Sequence, residues 1–134
     1  MIPCLYTETE TAFTTNGIGK LCDALSCYVT EKRNGSYELK MGYPSFGIHA
    51  EDVVEGNIIL AKPSERATAQ PFRIYKITTP LTGLLEVQAR HIQYQENFIT
   101  VSPFSAQGSQ AAMAAIKSHT TTDCPFEFWT DIDS

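Results

Sequence analysis

Most of the signatures that announce an enzyme or a cofactor are missing from this chain. The cysteines Cys4, Cys22, Cys27 and Cys124 form no Cys-x-x-Cys pair, which argues against a structural zinc site. The histidines His49, His91 and His119 lie far apart, without the His-x-x-x-His spacing of a metalloprotease. A serine hydrolase would show Gly-x-Ser-x-Gly, and none is present. Gly17-Ile18-Gly19 lacks the third glycine, or the following lysine and hydroxyl residue, of a phosphate-binding loop. Positive charge is scarce: 10 basic residues face 15 acidic ones, and the net charge of -5 argues against a protein that grips phosphates. Apolar runs are short, and Ile58-Ile59-Leu60-Ala61 falls far below bilayer length. The first fifteen residues carry Glu8 and Glu10 and no basic start ahead of an apolar block, so no secretory signal is read there. The four cysteines are therefore expected as free thiols in a reducing compartment such as a bacterial cytoplasm. Cys22 and Cys27, five apart, would face opposite sides of one regular strand and could not bridge.

What the chain has is β-pattern. Pro71 to Tyr94 predicts a long hairpin, with Leu85, Val87 and Ala89 on one face and Glu86, Gln88 and Arg90 on the other. Pro80 and Gly83 are expected to make its loop. Tyr37, Leu39, Met41 and Tyr43 alternate with Glu38 and Lys40, the pattern of a strand with one face in a core. Asn34-Gly35 joins that strand to Ser26–Thr30 as a hairpin turn. Leu21, Ala24 and Leu25 fit helix spacing while Ser26–Thr30 favours a strand, and both readings stay open. Asn57 to Lys62 predicts a strand buried on both faces, and His49–Val53 a single helical turn ending before Gly56. Met1–Tyr6 predicts a short strand, with Pro3 at its start. Phe98–Val101 adds a short apolar stretch.

Beyond position 100 the pattern changes. Five alanines predict a helix capped by Ser105, with Ala112, Met113 and Ile116 as its stripe. Cys124–Thr130 predicts an aromatic strand. Positions 101–134 hold one lysine against four acidic residues. A domain boundary near 100 is expected, and one helix with one strand is too little to bury a core alone. The expected class is mainly β with some α: an antiparallel β-barrel-like domain over residues 1–100, then a short C-terminal helix and strand that open a second, incomplete α+β domain over 101–134. The chain is expected to be the N-terminal piece of a longer protein.

No catalytic, cofactor-binding or metal-binding residue is assigned. Cys27 and His91 could serve a nucleophile pair only if the fold brought them together, and nothing local supports that. A satisfied, half-buried His91 is the plainer expectation. Glu51-Asp52 and Asp131–Asp133 read as solvated acidic surface. Tyr37, Tyr43, Phe72, Tyr75 and Tyr94 read as core or subunit contact, and Trp129 with the tyrosines offers thin support for stacking on a sugar.

Several runs taken together resemble a known family. They are Ile2-Pro3-Cys4-Leu5-Tyr6, Phe13–Gly19, Val29–Leu39 around Asn34-Gly35, Ile59–Pro63, Gln70–Ile77, His91-Ile92 and Pro125–Thr130. Their order and spacing are similar to the N-terminal region of the phage minor structural proteins of Gram-positive siphophages and prophages, also called prophage endopeptidase tail or tail-associated lysin proteins. The resemblance covers essentially the whole chain. It implies a viral structural protein at the virion tail tip, assembled in the bacterial host cytoplasm. It further implies a domain like the first one of baseplate hub proteins, and a homotrimeric ring that continues the tail tube. The distal tail protein and the tape measure protein would be neighbours, with no specific nucleic-acid binding and no membrane anchor. An acidic wall suits a conduit that must release DNA. The peptidase activity in the family's name belongs to regions further along the chain, so catalysis is not carried over. No cofactor is implied. A cell-wall hydrolase fragment and a host-surface glycan-binding module remain the alternatives.

Overall fold

The structure is a computed structural model that describes residues 2–121 and residue 126. It divides into two compact units, Met1–Ile92 and Gln93–Ser134.

The first unit is an antiparallel sheet of seven strands that curls into a half-barrel. Its strands are β1 (Cys4–Tyr6), β2 (Gly19–Lys20), β3 (Ser26–Glu31), β4 (Tyr37–Pro44), β5 (Ile58–Ala61), β6 (Gln70–Leu81) and β7 (Leu84–His91). Their order across the sheet is β2-β1-β5-β6-β7-β4-β3. The centre is the predicted long hairpin, β6 and β7. It turns more tightly than Pro80 and Gly83 suggested, because β6 runs on to Leu81 and only two residues separate the strands. Pro80 sits where the β6–β7 register shifts between Thr78 and Leu81, so its missing N–H falls at an irregular point of the ladder.

Side-chain alternation builds the core row by row. Leu5 lies opposite Ile59, and Ile59 opposite Phe72. Further along, Met41 lies opposite Val87, and Val87 opposite Ile77. Leu5, Leu39, Tyr43, Ile59, Phe72, Val87 and Ala89 have no solvent exposure at all. Leu21 and Val53, outside the strands, pack into the same cluster. The helix option at Leu21–Leu25 is not taken: Ala24 N–H closes a turn onto the Leu21 carbonyl, and the strand begins at Ser26. A single helical turn does form at His49–Val53, where the Val53 N–H donates to the His49 carbonyl at 3.1 Å.

The Asn16-Gly17 loop crosses this core closely. A β-carbon on Gly17 would lie 2.5 Å from the Leu5 carbonyl oxygen and 2.5 Å from the Tyr6 ring, and φ is +58° there. Both the close approach and the left-handed backbone call for glycine. On the outer face Arg73 holds two loops by their carbonyls, donating to Gly56 at 2.6 Å and to Glu8 at 3.1 Å.

The second unit holds most of a 3-10 helix, Ile92–Phe98, and one α-helix, α1 (Ser109–Ser118). The expected cap at Ser105 is not the start of this helix. Gly108 takes the cap position with φ 85°, a backbone glycine adopts without a β-carbon clash, and no side chain caps it. Val101 and Thr120 make an isolated antiparallel bridge. His119 accepts the Phe104 ring in a stack at 4.8 Å. The expected strand Cys124–Thr130 lies, apart from Phe126, outside the described residues.

Truncating Phe72 to alanine should cost about 3–5 kcal/mol, the range for a fully buried aromatic in a packed core. Truncating Tyr28, 56% exposed, should cost under about 0.5 kcal/mol. Urea unfolding followed by circular dichroism measures both.

Candidate functional surface

Among the described residues, no group of three His, Cys, Asp or Glu side chains is placed to hold a metal ion. No helix among them is long and apolar enough to cross a membrane.

Cys27 and His91 occupy different parts of the sheet. Cys27 lies opposite Met41, and Met41 opposite Val87. His91 is four residues beyond Val87, about 13 Å along the strand at roughly 3.3 Å per residue. Cys27 lines a shallow cleft of about 220 Å³ with Val29, Ala61, Lys62, Ser64 and Glu65. Burial pushes its thiol up to about 11. A thiol so raised holds its proton at neutral pH, the reverse of an activated nucleophile.

His91 closes the other end of the core. Its ring stacks on Tyr37 at 4.6 Å with the planes 4° apart, and Phe72 meets it edge-on at 5.5 Å. Its Nε2 shares a hydrogen bond of 2.8 Å with Gln70 Oε1. Burial lowers its pKa below the ordinary value. This is the satisfied histidine that its place at the end of a half-buried face suggested.

The aromatic residues singled out in the sequence divide by face. Tyr43 is fully buried, and its hydroxyl accepts the His49 N–H at 3.1 Å. Tyr75 lies on the outer face, where its hydroxyl donates to Gln88 Oε1 at 3.0 Å. The Arg90 guanidinium covers its ring at 4.1 Å and pairs with Glu38 at 3.4 Å. That group is a cross-strand brace over β4, β7 and β6, built from pairs of opposite charge and aromatic contact. Of the two acidic clusters, Glu51 and Asp52 are exposed, and Asp131–Asp133 lies outside the described residues, as does Trp129.

The feature that sequence reasoning missed is apolar. Phe46, Ile48 and Leu25 are 86%, 82% and 70% exposed and line one cleft of about 430 Å³ together with Asp23, Pro44, Gly47 and Gly83. Two contacts hold this surface in shape. Asp23 Oδ2 accepts the Ile48 N–H at 3.0 Å, and the Ser45 N–H donates to the Gly83 carbonyl at 2.9 Å. Gly47 lets the loop lie against the Tyr43 ring, since a β-carbon there would sit 2.5 Å from it. Three large apolar side chains are thus held out together around one cleft.

Two outcomes follow at the thiols and at His91. In the folded chain at pH 7, iodoacetamide should modify exposed Cys22 well before Cys27, as read by mass spectrometry over time. At His91 the folded state resists protonation, so below about pH 6.5 the unfolded chain binds more protons. Stability should therefore be full above that pH and fall as pH drops through it. The fall should shrink in His91→Gln, measured as urea midpoints at pH 7.5 and 5.5. Set against known proteins, the chain matches no family model, no curated protein and no solved structure.

Proposed function

We propose that this chain is a structural module of a phage or prophage tail tip, the tube-proximal hub domain of a tail-associated protein, and that it works by assembly rather than catalysis. The observation that carries the reading is the exposed apolar surface of Leu25, Phe46 and Ile48. A chain whose cleft is lined by side chains of that kind has a surface suited to another protein. The mainly β curled sheet supports the reading at the level of fold class alone. The family itself rests on the runs quoted above, from Ile2–Tyr6 to Pro125–Thr130.

In this reading the partner at the apolar surface is a neighbouring copy, in a trimer formed by the full-length protein. The distal tail protein and the tape measure protein lie against the same ring. The acidic balance keeps its wall from holding DNA in transit. The virion tail tip is the site of action, after assembly in the host cytoplasm.

The double substitution Phe46→Ser with Ile48→Ser tests this in the product of the complete reading frame. Both side chains are exposed, so circular dichroism of the variant should match the parent. Sedimentation should show a trimer for the parent and at least a tenfold weaker one for the variant. A parent that stays monomeric at high concentration, or a variant trimer of full strength, would remove the reading.

A further inference from the structure

The outer face of the sheet is divided. On one part of it Tyr75, Gln88, Arg90 and Glu38 hold one another by hydrogen bond, ring contact and ion pair. On the next part the polar groups have no such partners. Ser26 lies opposite Gly42 and Gly42 opposite Glu86, while Tyr28 lies opposite Lys40. All five positions therefore share the face that Met41 and Tyr43 turn away from. Among the described residues, the side chains of Ser26, Tyr28, Lys40 and Glu86 make no hydrogen bond or ion pair. These four side chains surround a cleft of about 290 Å³, together with Gly42 and Leu84. Gly42 opens it, since a glycine between Ser26 and Glu86 leaves that row without a side chain. Leu84 and the Ser26 hydroxyl close in at its foot, 3.7 Å and 3.1 Å from where a Gly42 β-carbon would stand.

We propose that this cleft is a saccharide-binding site that seats one sugar ring. Its size lies near the lower end of small-molecule sites, roughly 300 Å³, which suits one ring better than a larger ligand. Tyr28 is 56% exposed and gives the cleft an aromatic wall, with Leu84 as a second apolar contact. The apolar C–H face of a pyranose fits such a wall. Around it the polar groups differ in kind: Lys40 only donates, Glu86 only accepts, and the Ser26 and Tyr28 hydroxyls do both. Neighbouring hydroxyls of one sugar answer all of these, because each can donate and accept. The charges of Lys40 and Glu86 cancel, so a ligand with net charge of either sign finds no net attraction. A zwitterion could pair with both, but exposed ion pairs contribute little, and the contact with the ring then decides. The site uses neither Phe46 nor Ile48, so it stands apart from the hub reading.

The test uses the 134-residue chain and amide NMR spectra. The probes are the methyl glycosides of glucose, galactose, mannose and N-acetylglucosamine, with free glycine as the zwitterion and an N-acetylated, C-amidated alanine as the peptide. At least one glycoside should shift the amides of residues 26–28, 41–42 and 84–86 in a saturable way. Tyr28→Ala removes the wall, and Glu86→Gln keeps the shape of the side chain but removes its charge. Each should weaken that binding roughly tenfold with the circular dichroism spectrum unchanged. Phe46→Ser with Ile48→Ser should leave it as it is. No saturable shift with any glycoside overturns the proposal. So do shifts that centre on Phe46 and Ile48, binding that Tyr28→Ala leaves intact, or glycine or the alanine derivative binding more tightly than every glycoside.

Discussion

One extra residue on the longest strand sets the shape of the sheet. Ile74 lies opposite Ala89 and Lys76 opposite Gln88, so β6 advances two residues while β7 advances one. Tyr75 is the surplus residue. Were Tyr75 paired regularly instead of bulged, strict alternation from Phe72 and Ile74 would turn Ile77 outward. With the bulge, Ile77 faces inward and completes the row with Val87 and Met41. A bulge also adds local twist. A sheet curled this way brings β3 at one edge and the end of β5 round to a common cleft, where Cys27 and Val29 meet Ala61. The displaced Tyr75 is not idle, since its ring lies beneath Arg90 and its hydroxyl bonds Gln88.

The inner and outer faces divide the labour. The inner face is apolar and closed at one end by Tyr37, Phe72 and His91, whose rings lie within 5.5 Å of one another. No buried polar or charged residue is found among the described residues of this core. Polar work goes to the outside: Arg73 ties the Glu8 and Gly56 loops, and Glu38, Arg90, Tyr75 and Gln88 brace three strands. Such exposed pairs contribute little each, so the aromatic and aliphatic rows supply most of the stability.

Local pattern carried much of this fold in legible form. The alternation Tyr37-x-Leu39-x-Met41-x-Tyr43 is a strand whose odd positions are buried or half-buried, and Asn34 takes the positive φ of 55° that its hairpin turn needs. The bulge was not legible, because apolar residues at 72, 74 and 77 fit either a broken strand or a short helical stripe. Strand order was not legible either: β4 pairs with β7 across forty residues, and alternation says which face is buried but not which strand is the neighbour. At the helix, Ser105 matches a cap by residue type, yet Gly108 lies between it and the alanines and governs where the turn can begin.

The exposed apolar cleft escaped sequence reading for a related reason. Pro44-Ser45-Phe46-Gly47 reads as a turn, and turn residues alone do not say which way an apolar side chain among them points. Here the Tyr43 ring lies against Gly47, and the neighbouring Phe46 side chain is 86% exposed. The Ile48 N–H bonded to the Asp23 carboxylate fixes the loop backbone there, and the Ile48 side chain is 82% exposed. Exposure at these positions is thus a product of tertiary packing. Phe46 and Ile48 thus leave large apolar area in water, which costs free energy in the folded chain.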